Sequence, residues 1–158
     1  MEKKVIALIR TSTIQQEIDS QREEVLSLIL ADGYSMDEIE VVGEKGASAI
    51  KMDEAYLKNI NRVYELIEQQ PIKAVYAWAI DRIGRNRTML NQFRETLIGK
   101  HIQLIIKNPE LRLLNPDGSE NSGIGLAFSL FAEMAVQEMQ QKKARFARAK
   151  KRNSEAGK

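Results

Sequence analysis

The stretch VIALIRTSTIQQ, Val5–Gln16, decides how the rest of the chain is read. Val5–Ile9 is a short apolar run with β-branched residues, the composition of a buried strand. It ends in Arg10, three consecutive hydroxyl residues, Thr11, Ser12 and Thr13, and, after Ile14, the pair Gln15 and Gln16. Ser12 with Gln15, and Thr13 with Gln16, have the spacing of a helix capping box. A cap accounts for the hydroxyls. It does not account for Arg10, because a cation beside a helix N-terminus opposes the helix dipole. An anion between them does, since helix N–H groups and a guanidinium both favour a phosphate.

Outward from this strand the pattern alternates. Gln15–Ala31 has the apolar spacing of a helix and runs into Asp32-Gly33-Tyr34, with Gly33 as the expected left-handed cap. Ile39–Gly43 is a second strand, and Glu44–Asp53 has loop character. Tyr56–Gln69 carries Leu57, Ile60, Val63, Tyr64 and Ile67 at helical spacing, and Pro71 stops it. Ala74–Ile80 is a third strand, Thr88–Lys100 a helix closed near Gly99, and Ile102–Lys107 a fourth strand. Crossover helices of this length imply parallel strands, right-handed connections and helices on both faces. The expected fold class is therefore α/β: a mostly parallel sheet of four or five strands, followed by a long C-terminal helix. Tyr76 and Trp78 belong to its core or sheet face, and His101, opening the fourth strand, is structural.

Ligands in such sheets sit beyond the carboxyl ends of the strands. Arg10 and the hydroxyls lie at one such end, and DRIGRNR, Asp81–Arg87, lies at another. A solvated turn with Asp81 pairing Arg82 or Arg85 is one reading of the second cluster. The other is a phosphate site, for which arginine is suited by its bidentate geometry and Gly84 by allowing a tight turn and close backbone approach. Together the clusters place a nucleophile beside guanidinium groups, which is most of what phosphoryl transfer requires. There is neither a Walker pattern nor a dense carboxylate cluster for two metals, so a guanidinium-based mechanism is the more economical reading.

Composition narrows the classes. The chain has 158 residues, 43% apolar and 29% charged, as in an ordinary globular domain. It has no cysteine, which excludes disulfide and thiolate chemistry and fits a reducing cytoplasm. The single histidine, His101, argues against a histidine metal site or a Ser-His-Asp triad. No apolar run reaches membrane-spanning length, and the MEKK start does not read as a signal peptide.

The last third is different. Asn108–Gly123 is loop-rich, with a short strand expected at Leu111–Leu114. From about Ile124 to Glu155 runs a helix of thirty-odd residues, roughly 50 Å long and too long to lie on one small domain. Its first half is apolar on more than one face, including Met134 and Met139 as interface filler, and the surplus calls for a second subunit. Its second half is basic. From Lys142 onward there are eight basic residues and one acid, against sixteen basic and twenty-one acidic before it, so the net +2 is a +7 end on a −5 body. A solvated helix end and a polyanion-binding segment are both open readings of that charge. The expected division is a body over 1–122 and an oligomerising helix with a basic end over 123–158.

IRTSTIQQEIDSQ at the first strand, IDRIGRN after the third, and the long last helix together resemble the catalytic domain of the serine recombinases, the resolvase/invertase family that includes transposon and phage integrases. The resemblance covers nearly the whole chain. It implies that Ser12 attacks a DNA phosphodiester and becomes joined to the 5′ phosphate, with religation by the reverse step and no metal or cofactor. Arg10, Arg82 and Arg85 would hold the phosphate, Asp81 would orient an arginine or handle a proton, and Gln16 and Gln21 would help place the nucleophile. The basic helix end, Lys142, Lys143, Arg145, Arg148, Lys150, Lys151 and Arg152, would follow double-stranded DNA. The family works as a homodimer that becomes a tetramer in the synaptic complex. This sequence departs from the pattern in two places. Glu54 stands where an arginine is usual, with Lys45 and Lys51 nearby, and Ala135-Val136 stands at the place of a Glu-Arg pair. The family's DNA-reading domain is expected beyond Lys158, so the chain reads as a truncated catalytic domain. A non-catalytic DNA-binding relative and a phosphate-binding α/β switch domain are the competing functional readings.

Overall fold

In the sheet of this protein the strand order is β2-β1-β3-β4-β5, where β1 is Val5–Leu8, β2 Ile39–Val42, β3 Ala74–Ala77, β4 Gln103–Ile106 and β5 Leu111–Arg112. The structure, a computed structural model, describes residues 2–9, 15–43, 52–84 and 86–156, with side chains outside 15–18 and 52–56. The first four strands are parallel, with Val5 opposite both Ile39 and Ala74, and Ala74 opposite Gln103. β5 is antiparallel to β4, and the expected strand at Leu111–Leu114 shortens to two residues plus a bridge from Leu114 to Glu120.

The helices are α1 (Gln15–Ala31), α2 (Met52–Gln69), α3 (Arg87–Gly99) and α4 (Ser122–Ala156). Handedness decides their faces. The step from β1 to β2 and the step from β2 to β3 run in opposite directions across the sheet, so right-handed crossovers put α1 on one face and α2 with α3 on the other. The core divides accordingly. Val5, Ala7, Ala74, Tyr76 and Ile105 pack under Val25, Leu26 and Ile29 of α1. Ile6, Leu8, Val75, Ala77, Leu104 and Ile106 pack under α2, α3 and the start of α4. The rings of Tyr64 and Phe93 pack edge-to-face with centroids 5.7 Å apart and tie α2 to α3.

Polar contacts close the ends. Tyr76 donates its hydroxyl to Asp32 Oδ2 at 2.6 Å, and Arg112 reaches the same oxygen at 3.4 Å, so the end of α1 is fastened to β3 and β5. Burial and the Asp32 carboxylate push the Tyr76 hydroxyl pKa well above its ordinary value. Gly33 caps α1 at φ +101°, as its place after the helix predicts. α3 closes at Gly99, as expected, one residue short of the predicted Lys100. The left-handed residue that follows it is His101 (φ 56°). His101 N–H donates to Ile98 O and Ile102 N–H to Leu97 O, the pattern that satisfies the last carbonyls while delivering buried Ile102 to the start of β4.

Asn121 starts α4 by accepting from Gly123 N–H at 3.0 Å. Ile124, Phe128 and Ala132 bury one face of α4 in the core, and Arg94 pairs with Glu120 just before it. Leu126, Leu130 and Met134, recurring every fourth residue on another face, are exposed. Past Ala135 nearly every residue is exposed as the helix runs clear of the body. Among the described residues no helix is long and apolar enough to cross a membrane.

Candidate active site at the strand exits

The strand order reverses between β1 and β3, so the exits of these two neighbours flank the crevice where open α/β sheets bind ligands. Both polar clusters of the sequence follow these two strands. Arg10 and Ser12 lie directly after β1 but outside the described residues, as do Thr11, Thr13, Lys45, Lys51 and Arg85. Gln16 and Glu54 are on α1 and α2, with side chains outside the described set.

The β3 exit is well defined. The expected strand to Ile80 ends earlier, at Ala77, and Ala79 is the extended residue before a 3-10 turn over Ile80–Arg82. The turn closes through Arg82 N–H to Ala79 O, Ile83 N–H to Ile80 O and Gly84 N–H to Ile80 O. It drives Ile80 and Ile83 into the core and takes Arg82 with them, to 8% exposure. A guanidinium this deep requires partners. Arg82 pairs through Nη1 with Asp81 Oδ1, and donates through Nη2 to Gln21 Oε1 at 3.2 Å.

That second bond crosses the crevice. Gln21 lies in α1, which follows the β1 exit, and Arg82 lies on the β3 exit sixty-one residues later. Gln21, expected to help place the nucleophile, accepts a hydrogen bond from Arg82, and Asp81 pairs with the same arginine. Gly84 has a packing role: a Cβ there would meet Met89 Cβ and Leu90 Cδ2 at 3.1 Å, so its bare α-carbon admits the first turn of α3. Asn86 then caps α3, accepting from Met89 N–H at 2.8 Å.

The match to a known family decides what this arrangement belongs to: the family described as "Resolvase, N terminal domain" matches residues 5–158. This chain belongs to the resolvase family. Resolvase-type architecture is also found in a solved structure, a resolvase family site-specific recombinase from Streptococcus pneumoniae, with a TM-score of 0.52 and 16% identity over 99% of this chain and 100% of that one. No curated protein matches the chain.

Within this resolvase domain, the rest of the expected site is distributed as follows. Lys142, Lys143, Arg145, Arg148, Lys150, Lys151 and Arg152 all lie on the exposed far half of α4. Ala135 is half-buried where that helix leaves the body, and Val136 is exposed. Arg87 of α3 faces Glu133 of α4 at 3.9 Å. Sequence reasoning missed the bond between Gln21 and Arg82, for which the only advance signal was an amide-bearing residue on the helix that follows the first cluster. Among the described residues no group of three or more histidine, aspartate or glutamate side chains is placed to hold a metal ion.

Proposed function

We propose that this resolvase-family chain carries out site-specific DNA recombination through a covalent serine intermediate, with Ser12 as nucleophile. Family membership supports DNA recombination in general. The observation that carries the finer reading is the Asp81–Arg82–Gln21 constellation at the switch point, where one buried guanidinium joins the segments that follow β1 and β3.

The chemistry follows from the charges. Ser12 Oγ attacks phosphorus, the bond to the 3′ oxygen breaks, and a proton passes overall from Ser12 to that leaving oxygen. The DNA is then held by its 5′ phosphate, and the reverse step religates it. Charge that builds on the phosphoryl oxygens is met by Arg10 and Arg85. Arg82, already neutralised by Asp81, presents a fixed dipole and needs no reorganisation during the reaction. Asp81 and Gln21 are positioning residues that act through Arg82. No metal or cofactor enters this route.

The division into a body over 1–122 and a helix over 123–158 is part of the proposal. The exposed apolar line Leu126, Leu130 and Met134 fits a helix face covered by a second copy in a homodimer, and two dimers would form the synaptic tetramer. The basic far half of α4 fits the backbone of double-stranded DNA. The test uses a pool of random-sequence duplexes incubated with the chain and quenched in detergent. Protein-linked 5′ ends are expected with the native chain and absent with Ser12→Ala. Assembly on DNA without any such adduct would favour a purely DNA-binding role.

A further inference from the structure

We infer that Gly43, at the end of β2, is a positioning residue for the reaction, acting on the strand end that leads into Arg10 and Ser12. The inference rests on the recombinase reading above for its consequence, but on backbone geometry for its substance. Gly43 has φ +88°, and a Cβ built on it would lie 2.2 Å from Ile9 O, 3.3 Å from Ile9 C and 2.9 Å from Asn59 Nδ2. The nearest of these is a backbone oxygen, so no side-chain rotation removes the collision. Ile9 O belongs to the peptide that joins Ile9 to Arg10.

Ile9 has little room to give. Its side chain is 1% exposed, and its N–H donates to Val42 O at 2.9 Å, the last bond of the β1–β2 ladder. With the side chain and the amide both held, the carbonyl is the part that must turn. Restoring ordinary contact distance needs about 1 Å of movement. A displacement of that size at a reacting group is costly in rate, up to about a hundredfold. The bare α-carbon of Gly43 thus lets β2 close over the end of β1 and fixes the Ile9 carbonyl, the last described group before Arg10.

Gly33 provides the matched control. It has φ +101° and nothing within 4 Å of its would-be Cβ, so Gly33→Ala carries the same backbone penalty without the collision, at the other end of α1. The two variants are compared by the amide ¹H–¹⁵N resonance of Arg10 and by the rate of adduct formation on the random-duplex pool. Gly43→Ala should move the Arg10 resonance while leaving those of β4 in place. It should slow adduct formation at saturating DNA by about tenfold or more, with the half-saturating concentration unchanged within about twofold. Gly33→Ala should do neither. An unmoved Arg10 resonance in Gly43→Ala, an unchanged rate, or equal effects from both glycine variants would overturn the inference. If the native chain forms no adduct, the recombinase reading fails, and the Arg10 resonance alone judges Gly43. Should Gly43→Ala fold poorly, the same pair is compared in a His101→Gly background, which relieves a left-handed residue remote from this strand exit.

Discussion

Phe128 and Phe146 sit on the same face of α4, eighteen residues and five full turns apart, yet the first is 1% exposed and the second 75%. The helix presents one stripe throughout. Only what lies beneath it changes: sheet and α3 under Phe128, none of the described residues over most of Phe146. The contrast separates two ways of using charge. Among the described residues of the body, Arg82 is the buried arginine, paired with Asp81 and bonded to Gln21. On the projecting half, seven cations are exposed and act as a diffuse field.

The largest difference between the two halves is expected on truncation of each ring. Phe128→Ala should cost about 3–5 kcal/mol of unfolding free energy, whereas Phe146→Ala should stay within about 0.5 kcal/mol. Urea unfolding of the two variants measures both, and equal losses would show the far half packed in the isolated chain. Next in size is Arg82→Ala, which removes a buried side chain and its bonds to Asp81 and Gln21. A loss of about 1–3 kcal/mol is expected in the same assay. At the end of α3, His101→Gly should gain about 0.5 kcal/mol, since relief of the left-handed strain outweighs the added chain entropy.

The smallest effect on stability comes from the projecting half. Changing Lys142, Lys143, Arg145, Arg148, Lys150, Lys151 and Arg152 together to glutamine should alter unfolding by no more than about 0.5 kcal/mol. Binding of random duplexes should weaken, and its dependence on log salt should flatten by about 0.9 for each phosphate contact removed. An unchanged salt slope would remove DNA from the account of that segment.

Much of the fold could be read from local signals. The bounds of α1 follow from its apolar spacing and the Asp32-Gly33 stop, and the β-α rhythm by itself implies parallel strands with helices on both faces. What escaped the sequence depends on distant pairs. The stop of α3 near Gly99 was legible, but not the turn through a left-handed His101 that delivers Ile102 to the core. The run Ala74–Ile80 looks like one strand because nothing local shows that Ile80, Arg82 and Ile83 must turn inward. The bond from Arg82 to Gln21 and the approach of Gly43 to Ile9 each join segments far apart in sequence. In the candidate site, therefore, the pairing of Asp81 with Arg82 was among the readings open to the sequence, while the bond from Arg82 to Gln21 was not.

In the proposed mechanism the two strand exits form one phosphoryl-transfer site with Ser12 as its nucleophile. Mass spectrometry of protein recovered from detergent-quenched reactions with random duplexes, after nuclease digestion, tests it most directly. A nucleotide carried through its 5′ phosphate on the peptide containing Ser12, absent from Ser12→Ala, is the predicted result. An adduct on any other residue, or one that persists in Ser12→Ala, would contradict it.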